Sequence, residues 1–525
     1  MGRFLNKGNQ KFARFVKGKY FVDKTEIIHR LLEKDEDEKF ICNSRARRFG
    51  KSVTADMLVA YFSRGADSAE LFAPLKCNKD ALFRENLNRY DTIFVDIQGQ
   101  FLEAWKAKAD PNESIERNLV SELREAYPEL VSDKMTLAAA LSIIYDRTGG
   151  QFVIIFDEWD YPIRELEEGN RDREGYVESL RSLFKNSDAK DYIRLAYLTG
   201  IMPIVRTKGQ SAVNNFTEYT MAEPRDLGGY IGFTEEEVEA LCRKFGVDFG
   251  QMREWYNGYN LNGIPIYNAW SVTEALRTNY FKQYWTITGT YGDIEDLITR
   301  NFDGLREDIL KMLSGNRILV DVDDGINDLQ TFHNKEQVIT ALIHLGYCAY
   351  DGKSREAYIP NKEIQAVFYK SVRQSKNGQL VQFMKQSEKL LYAVLENEAE
   401  QVGDLVGSVH NDFISNIEYN DENSLSCTIT IAMLSALTYY HRPIREFPGG
   451  KGFADIVYLP LPQYRGYPAI VVELKWNKSV KAAISQIKDR QYPQALKGYA
   501  GEILLVGIAY DKKTKQHTCE IEHFC

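Results

Sequence analysis

No two cysteines in this chain stand close enough to form a C-x-x-C pair. The seven, at positions 42, 77, 242, 348, 427, 519 and 525, are scattered. Neither a zinc ribbon nor a disulfide framework is indicated, and a reducing cytoplasm is the expected setting. A signal peptide is missing too: MGRFLNKGNQKFARFVKGKY is basic but has no continuous apolar core. The longest uncharged run of concern, Ser424 to Tyr440, holds six Ser or Thr residues and is too short and polar to span a bilayer. A buried helix is expected there, and no membrane attachment. There is no internal repeat and no low-complexity linker; RQSKNGQ (373–379) is the best hinge candidate.

What is present is ordinary for a globular protein, 44% hydrophobic and 27% charged. A chain of 525 residues exceeds a single core and implies about two to four domains. The net charge of −9 argues against a protein that coats nucleic acid along its whole surface. The charge is uneven, however. From His441 to Cys525 there are 13 Lys and Arg against 8 Asp and Glu, a basic module on an acidic body that is compatible with local polyanion binding.

TEIIHRLLEK (25–34) has helical spacing, KFICNS (39–44) reads as a short buried strand, and SVTADMLVAYF (52–62) as a helix. DTIFVDIQG (91–99), QFVIIFDEWD (151–160) and YIRLAYLTGI (192–201) read as further strands. Strands separated by helical stretches indicate an α/β layer with a parallel sheet. From Thr234, an N-cap with Glu237 three residues on, the chain reads as helical to about residue 400. After Pro443 the strands GFADIVYL, PAIVVELKW and EILLVGIAY return, with helical SVKAAISQIKDRQY between the last two.

Between the first strand and its helix lies RARRFGKS (45–52). A phosphate loop aims backbone N–H groups and a helix N-terminus at an anion while a lysine reaches the terminal phosphates. Here Gly50 allows close approach, Lys51 faces the β/γ-phosphates and Ser52 ligates Mg²⁺; Arg45 stands where the first glycine of the usual pattern would be. FVIIFDEWD supplies the partner. Asp157 is placed to hold Mg²⁺ and Glu158 to orient or deprotonate the attacking water. Thr199 is placed to sense the γ-phosphate, although it is as readily satisfied by backbone; Arg206 and Lys208 are weaker phosphate candidates.

YFVDKTEIIHRLL, RARRFGKS, FDEWDYPI, LTGI, GFTEEEV, WYNGY, IYNAWSV, HLGYCAY and IPNKE follow in this order. The set closely resembles the bacterial AAA-ATPase-like proteins with a C-terminal PD-(D/E)XK nuclease-like domain, over nearly the whole chain. In that family the loop typically reads R-P-R-R-F-G-K-S. The resemblance therefore implies that Arg45, Arg47 and Arg48 join Gly50, Lys51, Ser52, Asp157 and Thr199 in binding ATP. Ala46, where proline is usual, and MPIVRTKGQSAV, where a serine-rich segment is usual, depart from the pattern.

The second site follows from Asp455 and, eighteen residues later, Glu473 in VVELKW. Glu473 and Lys475 are two apart in a strand and share a side. An acid on one strand and E-x-K on the next can gather Mg²⁺, or alternatively Mn²⁺, where the metal polarises a phosphodiester and supplies hydroxide and the lysine positions the nucleophile; on spacing alone a solvated strand face accounts for E-x-K equally. The resemblance implies Gln486, Lys488 and Tyr492 on the following helix, and Glu422 as an early acidic metal ligand, with Glu446 its rival. The expectation is an α/β protein of three parts: a P-loop AAA-ATPase-like domain over 1–232, a helical lid and connector over 233–375, and a PD-(D/E)XK nuclease-like domain over 376–525. The expected partners are ATP and nucleic acid, DNA first, with a homo-oligomer open to it because AAA-type modules often take a neighbour's arginine. The alternative is a nucleotide-switched binding module whose nuclease-like domain does not cut.

Overall fold

The structure is a computed structural model that describes residues 2–204, 213–285, 302, 304–323, 331–374, 378–413, 422–449, 452–490, 496 and 501–524. Two compact units divide the chain: Met1–Ile287 with Leu319–Glu363, and Thr288–Ile318 with Ile364–Cys525. Residues 233–375, read as one helical stretch from the sequence, are shared between them.

The first unit is built on five parallel strands, β1 (Phe40–Ser44), β2 (Asp91–Asp96), β3 (Phe152–Asp157), β4 (Ile193–Gly200) and β5 (Thr217–Tyr219), in the order β2-β3-β4-β1-β5. A parallel sheet covered on both faces needs strands that are apolar throughout, and β1 and β3 are buried at every residue. Alternation then divides the strands between two cores. Phe40, Cys42, Ile93, Val95, Ile154, Phe156, Ala196 and Leu198 enter one; Ile41, Phe94, Val153, Ile155, Leu195 and Tyr197 enter the other. Helix α1 (Lys51–Phe62) follows β1 directly, entered through Gly50 at φ +103°, a conformation in which a side chain would be strained.

From Thr234 to about residue 400 the sequence predicts only helices, and the structure corrects this. Short strands β6 (Phe233–Thr234), β7 (Tyr259–Leu261) and β8 (Ile264–Tyr267) form a sheet in the order β6-β8-β7. The turn between β7 and β8 is Asn262-Gly263, both at positive φ, as a two-residue hairpin requires. Helix α2 (Glu235–Phe245) has the expected capping box: Thr234 Oγ1 accepts from Glu237 N, and Thr234 N donates to Glu237 Oε2 at 2.8 Å. Strands β9 (Ile318–Leu319), β10 (Ala349–Asp351) and β11 (Glu356–Tyr358) make another small sheet.

The second unit holds helix α3 (Leu305–Leu313), helix α4 (Glu422–Ala432), the five strands β12 (Ile444–Gly449), β13 (Gly452–Tyr458), β14 (Ala469–Trp476), β15 (Ile503–Asp511) and β16 (Gln516–Phe524), and helix α5 (Val480–Asp489). The strands lie in chain order, antiparallel except for parallel β14 and β15. The sequence missed both edges. β12 carries Pro448, which an edge strand tolerates because no ladder bond is lost, and β16 is polar and half exposed. Ala483, Ile484 and Ile487 of α5 are buried, and Ile484 and Ile487 pack with Val457, Val471 and Leu505 in one core.

Candidate nucleotide and metal sites

Strand register places the first site. Asp96 lies opposite Asp157, Asp157 opposite Thr199, and Thr199 opposite Asn43. Four polar residues thus stand at, or one residue before, the C-terminal ends of four neighbouring parallel strands, on the edge where open α/β sheets bind ligands. The loop from Arg45 to Gly50 rises from the same edge. Among the described residues no acceptor takes the backbone N–H groups of Phe49, Gly50, Lys51 or Ser52. Such orphan donors at a helix N-terminus form an anion cradle.

Lys51 is buried, and its Nζ bridges the loop to Ala46 O at 3.2 Å. Burial lowers its pKa, against the opposing pull of Glu158, Asp157 and Asp160. Burial also pushes Asp157 up to about 6, while the Ser52 hydroxyl, hydrogen-bonded to it, and Lys51 restrain the rise. Glu158 has φ +52°, rare for a side-chain-bearing residue. Its backbone N–H donates to Asp157 Oδ1 at 3.1 Å.

Two expected ligands have other partners. Arg45 is fully buried, and its Nη1 donates to Ser44 O, Tyr219 O and Thr220 O at 2.9, 2.8 and 3.1 Å. It therefore ties the end of β1 to the end of β5 and does not point into the phosphate cradle; burial brings its pKa down to about 10. Thr199 is buried and donates to Asn43 O at 3.1 Å, so backbone takes its hydroxyl. Arg47 is half-buried and Arg48 exposed, at φ +69°. They are held from outside the loop: Asn268 Nδ2 donates to Arg47 O at 3.2 Å, Trp270 N donates to Arg48 O at 3.3 Å, and the Arg48 guanidinium sits 4.9 Å from the Trp270 ring centre. Phe49 packs edge-on to Tyr259.

Sequence reasoning missed Asp160 and Arg164. Asp160 is fully buried; its Oδ2 accepts from Ile201 N and Met202 N at 3.2 and 3.0 Å and from Arg164 Nη1 at 2.8 Å. A Cβ on Gly200 would lie 2.2 Å from Asp160 Oδ1, so glycine is required there. The available signal was the D-x-x-x-R spacing after the paired acids, which puts both side chains on one helical face. Arg206 and Lys208 lie outside the described residues, as does Tyr492.

In the second unit, Asp455 on β13 and Glu473 and Lys475 on β14 come together. Glu473 Oε1 accepts from Lys475 Nζ at 2.9 Å and from Gln486 Nε2 of α5. Lys475 Nζ also donates to Leu474 O at 2.8 Å, and Leu474 N donates to Asp455 Oδ2 at 2.7 Å. Glu473 Oε2 is buried without a hydrogen-bond partner. Burial first, then the charge of Asp455, raise Glu473 to about 7. Burial likewise raises Asp455, with Glu422 and Glu446 adding to it. Glu422 is exposed at the start of α4 and acts on the pair through its charge. Among the described residues no three His, Cys, Asp or Glu side chains gather as a metal-holding group, so Glu422, Asp455 and Glu473 do not form a closed ligand set.

Both sites fit the groups they are expected to hold. At the first, Asp157, Glu158 and Asp160 against Lys51 and Arg164 leave one excess negative charge beside an anion cradle, which suits Mg²⁺ carried with a phosphate. At the second, the orphaned Glu473 oxygen is a buried acceptor that a cation would satisfy.

Residues 7–208 match the model of the AAA-ATPase-like family, described as predicted AAA-ATPase. The match takes in the loop, the paired acids and Thr199. The chain is also similar to an uncharacterized protein in the vnfD 5' region of Azotobacter chroococcum mcd 1, 28% identical over 309 residues. That alignment covers 56% of this chain and 55% of the relative, so the chain spans about half the length of the curated relative it matches. Among the described residues no helix is long and apolar enough to cross a membrane.

Proposed function

We propose that this chain couples ATP binding and hydrolysis in its first unit to metal-dependent cleavage of nucleic acid, DNA first, in its second. The observation that carries the nuclease half is Asp455 and Glu473 on adjacent strands, with a buried Glu473 oxygen lacking a donor and Lys475 on the same carboxylate. Asp455 and Glu473 would hold Mg²⁺ or Mn²⁺, which polarises the scissile phosphate and supplies hydroxide when bound. Gln486 fixes the Glu473 carboxylate from α5, and Lys475 stands ready to neutralise charge developing on the phosphate. In the first unit, Ser52 and Asp157 would hold Mg²⁺, Lys51 would bind the terminal phosphates, and Glu158 would hold the attacking water or take its proton.

A second reading rests on Lys475. Its ammonium is engaged by Glu473 and Leu474 O, a closed arrangement compatible with a module that grips nucleic acid under nucleotide control without cutting. Plasmid and single-stranded DNA in Mg²⁺ or Mn²⁺, with and without ATP, separate the two. Cleavage that needs metal, responds to ATP and disappears in Lys475→Ala is expected. No cleavage under any condition, with ATP and DNA both bound, would favour the binding module.

A further inference from the structure

Arg164 lies in the short helix Tyr161–Glu165 and is 4% exposed. Its contacts are unequal. Nη1 is 2.8 Å from Asp160 Oδ2 but 3.7 Å from Glu158 Oε2, and Nε donates to Glu165 Oε1 at 3.0 Å. The Asp160 end is fixed, because the same Asp160 oxygen takes two backbone N–H groups just past Thr199. The Glu158 contact is longer than a hydrogen bond, an ion pair that a stronger anion can displace. Among the described residues nothing accepts from Nη2, although a guanidinium presents five donors in a planar fork. Its charge is also felt at Lys51, together with those of Glu158, Asp157 and Asp160.

These facts describe a buried cation anchored through Nη1 and Nε, with a long Glu158 ion pair on the same Nη1, an Nη2 that no described acceptor takes, and a charge within electrostatic range of the phosphate-loop lysine. A triphosphate in the loop adds negative charge beside Glu158. Like charges repel, and the fork of Arg164 matches phosphate oxygens better than a single distant carboxylate. We propose that Arg164 is an exchange arginine: without nucleotide it pairs with Glu158, and with a nucleoside triphosphate in the loop it turns to the γ-phosphate and frees the Glu158 carboxylate for water. This rests on the ATP reading of the first unit. It makes the Asp160–Arg164 pair the element that distinguishes triphosphate from diphosphate, by a charge swap that needs no second chain.

The test compares binding of two fluorescent N-methylanthraniloyl nucleotides, ADP and the non-hydrolysable imido analogue of ATP, in Mg²⁺. Arg164→Gln is expected to lower the affinity ratio of the ATP analogue to ADP at least tenfold, about 1.4 kcal/mol, with ADP affinity within about twofold of wild type. Glu158→Gln, which removes the competing charge, is expected to raise the ratio. A merely structural arginine would weaken both nucleotides alike and lower the melting temperature, and that result overturns the proposal. So does an unchanged ratio in Arg164→Gln. Should Arg164→Gln fail to fold, Glu158→Gln decides: a ratio that does not rise overturns the proposal. Wild-type protein that binds neither nucleotide removes the ATP reading and this inference with it. Wild-type binding that Lys51→Ala abolishes, with no ratio change in Arg164→Gln, removes this inference alone.

Discussion

Single side chains decide the chemistry at both ends of the molecule, and their burial decides their charge. Glu158 follows a buried strand, and among the described residues its carboxylate is held by a long ion pair to Arg164. Glu158→Gln should therefore keep nucleotide affinity within a few-fold while slowing hydrolysis by about 100-fold or more. Steady-state phosphate release beside equilibrium binding checks this; hydrolysis at the parental rate would remove Glu158 from the mechanism. Glu363 makes a different argument. Its Oε1 accepts from Ser271 Oγ, Tyr284 N and Trp285 N at 3.0, 2.6 and 2.9 Å, yet burial raises it from 4.5 to about 7. The unfolded chain releases this proton first, so the folded state holds more protons across that window. Stability falls as pH rises through it, by up to about 1.4 kcal/mol per pH unit, and levels off above. Glu363→Gln keeps an acceptor oxygen without the charge. Its stability relative to wild type should rise from pH 4.5 to 7 and then stay constant in denaturant titrations; a pH-independent difference would contradict a protonated Glu363.

At the scale of elements, the phosphate loop is shaped by a segment more than two hundred residues away. Asn268 caps the helix Ala269–Thr278 through Ser271 N and also donates to Arg47 O, while Trp270 contributes a main-chain bond and its ring to Arg48. Trp270→Ala leaves the main-chain bonds in place and removes the cation–π contact, worth about 0.5–1 kcal/mol. Nucleotide affinity should fall about two- to fivefold, far less than in Lys51→Ala, which fluorescence titration of both variants will resolve. The strands and helix around this loop were legible in the sequence because β1 and β3 are short, apolar up to their C-terminal ends, and lead into Gly50 or the paired acids. The β7–β8 hairpin was misread as helix although Asn262-Gly263 was there to be seen: three- and four-residue strands give too few periods to outweigh the helical spacing around them. Edge strands β12 and β16 were missed because one carries Arg445, Glu446 and Pro448 and the other faces solvent, so neither has the apolar signature of a buried strand.

At the scale of the whole molecule, the chain leaves the first unit at residue 287, contributes 288–318 to the second, and returns before its final crossing at 363. Helix α3 lies in that excursion. Leu305, Ile309, Leu310 and Leu313 are buried; Gln365 Nε2 donates to Leu313 O at 3.1 Å, and Arg445 Nη1 to Asn316 Oδ1 at 2.6 Å. Leu310→Ala should cost about 2–5 kcal/mol in the calorimetric transition that Val471→Ala also lowers, not in the one lowered by Ile155→Ala. Leu310→Ala moving with Ile155→Ala would mean that α3 is stabilised by the first unit.

The sequence alone determined the local things: which segments are buried strands, where the loop and paired acids stand, that Thr234 and Glu237 cap a helix, and that Glu473 and Lys475 share one side of a strand. These depend on periodicity, on glycine and on residue types a few positions apart, all of which the chain carries in order. Only the tertiary structure decided that Arg45 faces carbonyl oxygens, that Arg164 joins Asp160 to Glu158, that Asn268 and Trp270 hold the loop, and that residues 288–318 belong with the C-terminal unit. Each of these depends on which distant groups become neighbours when the apolar faces are buried. Burial then sets the partners and charges of polar side chains that the linear sequence leaves free.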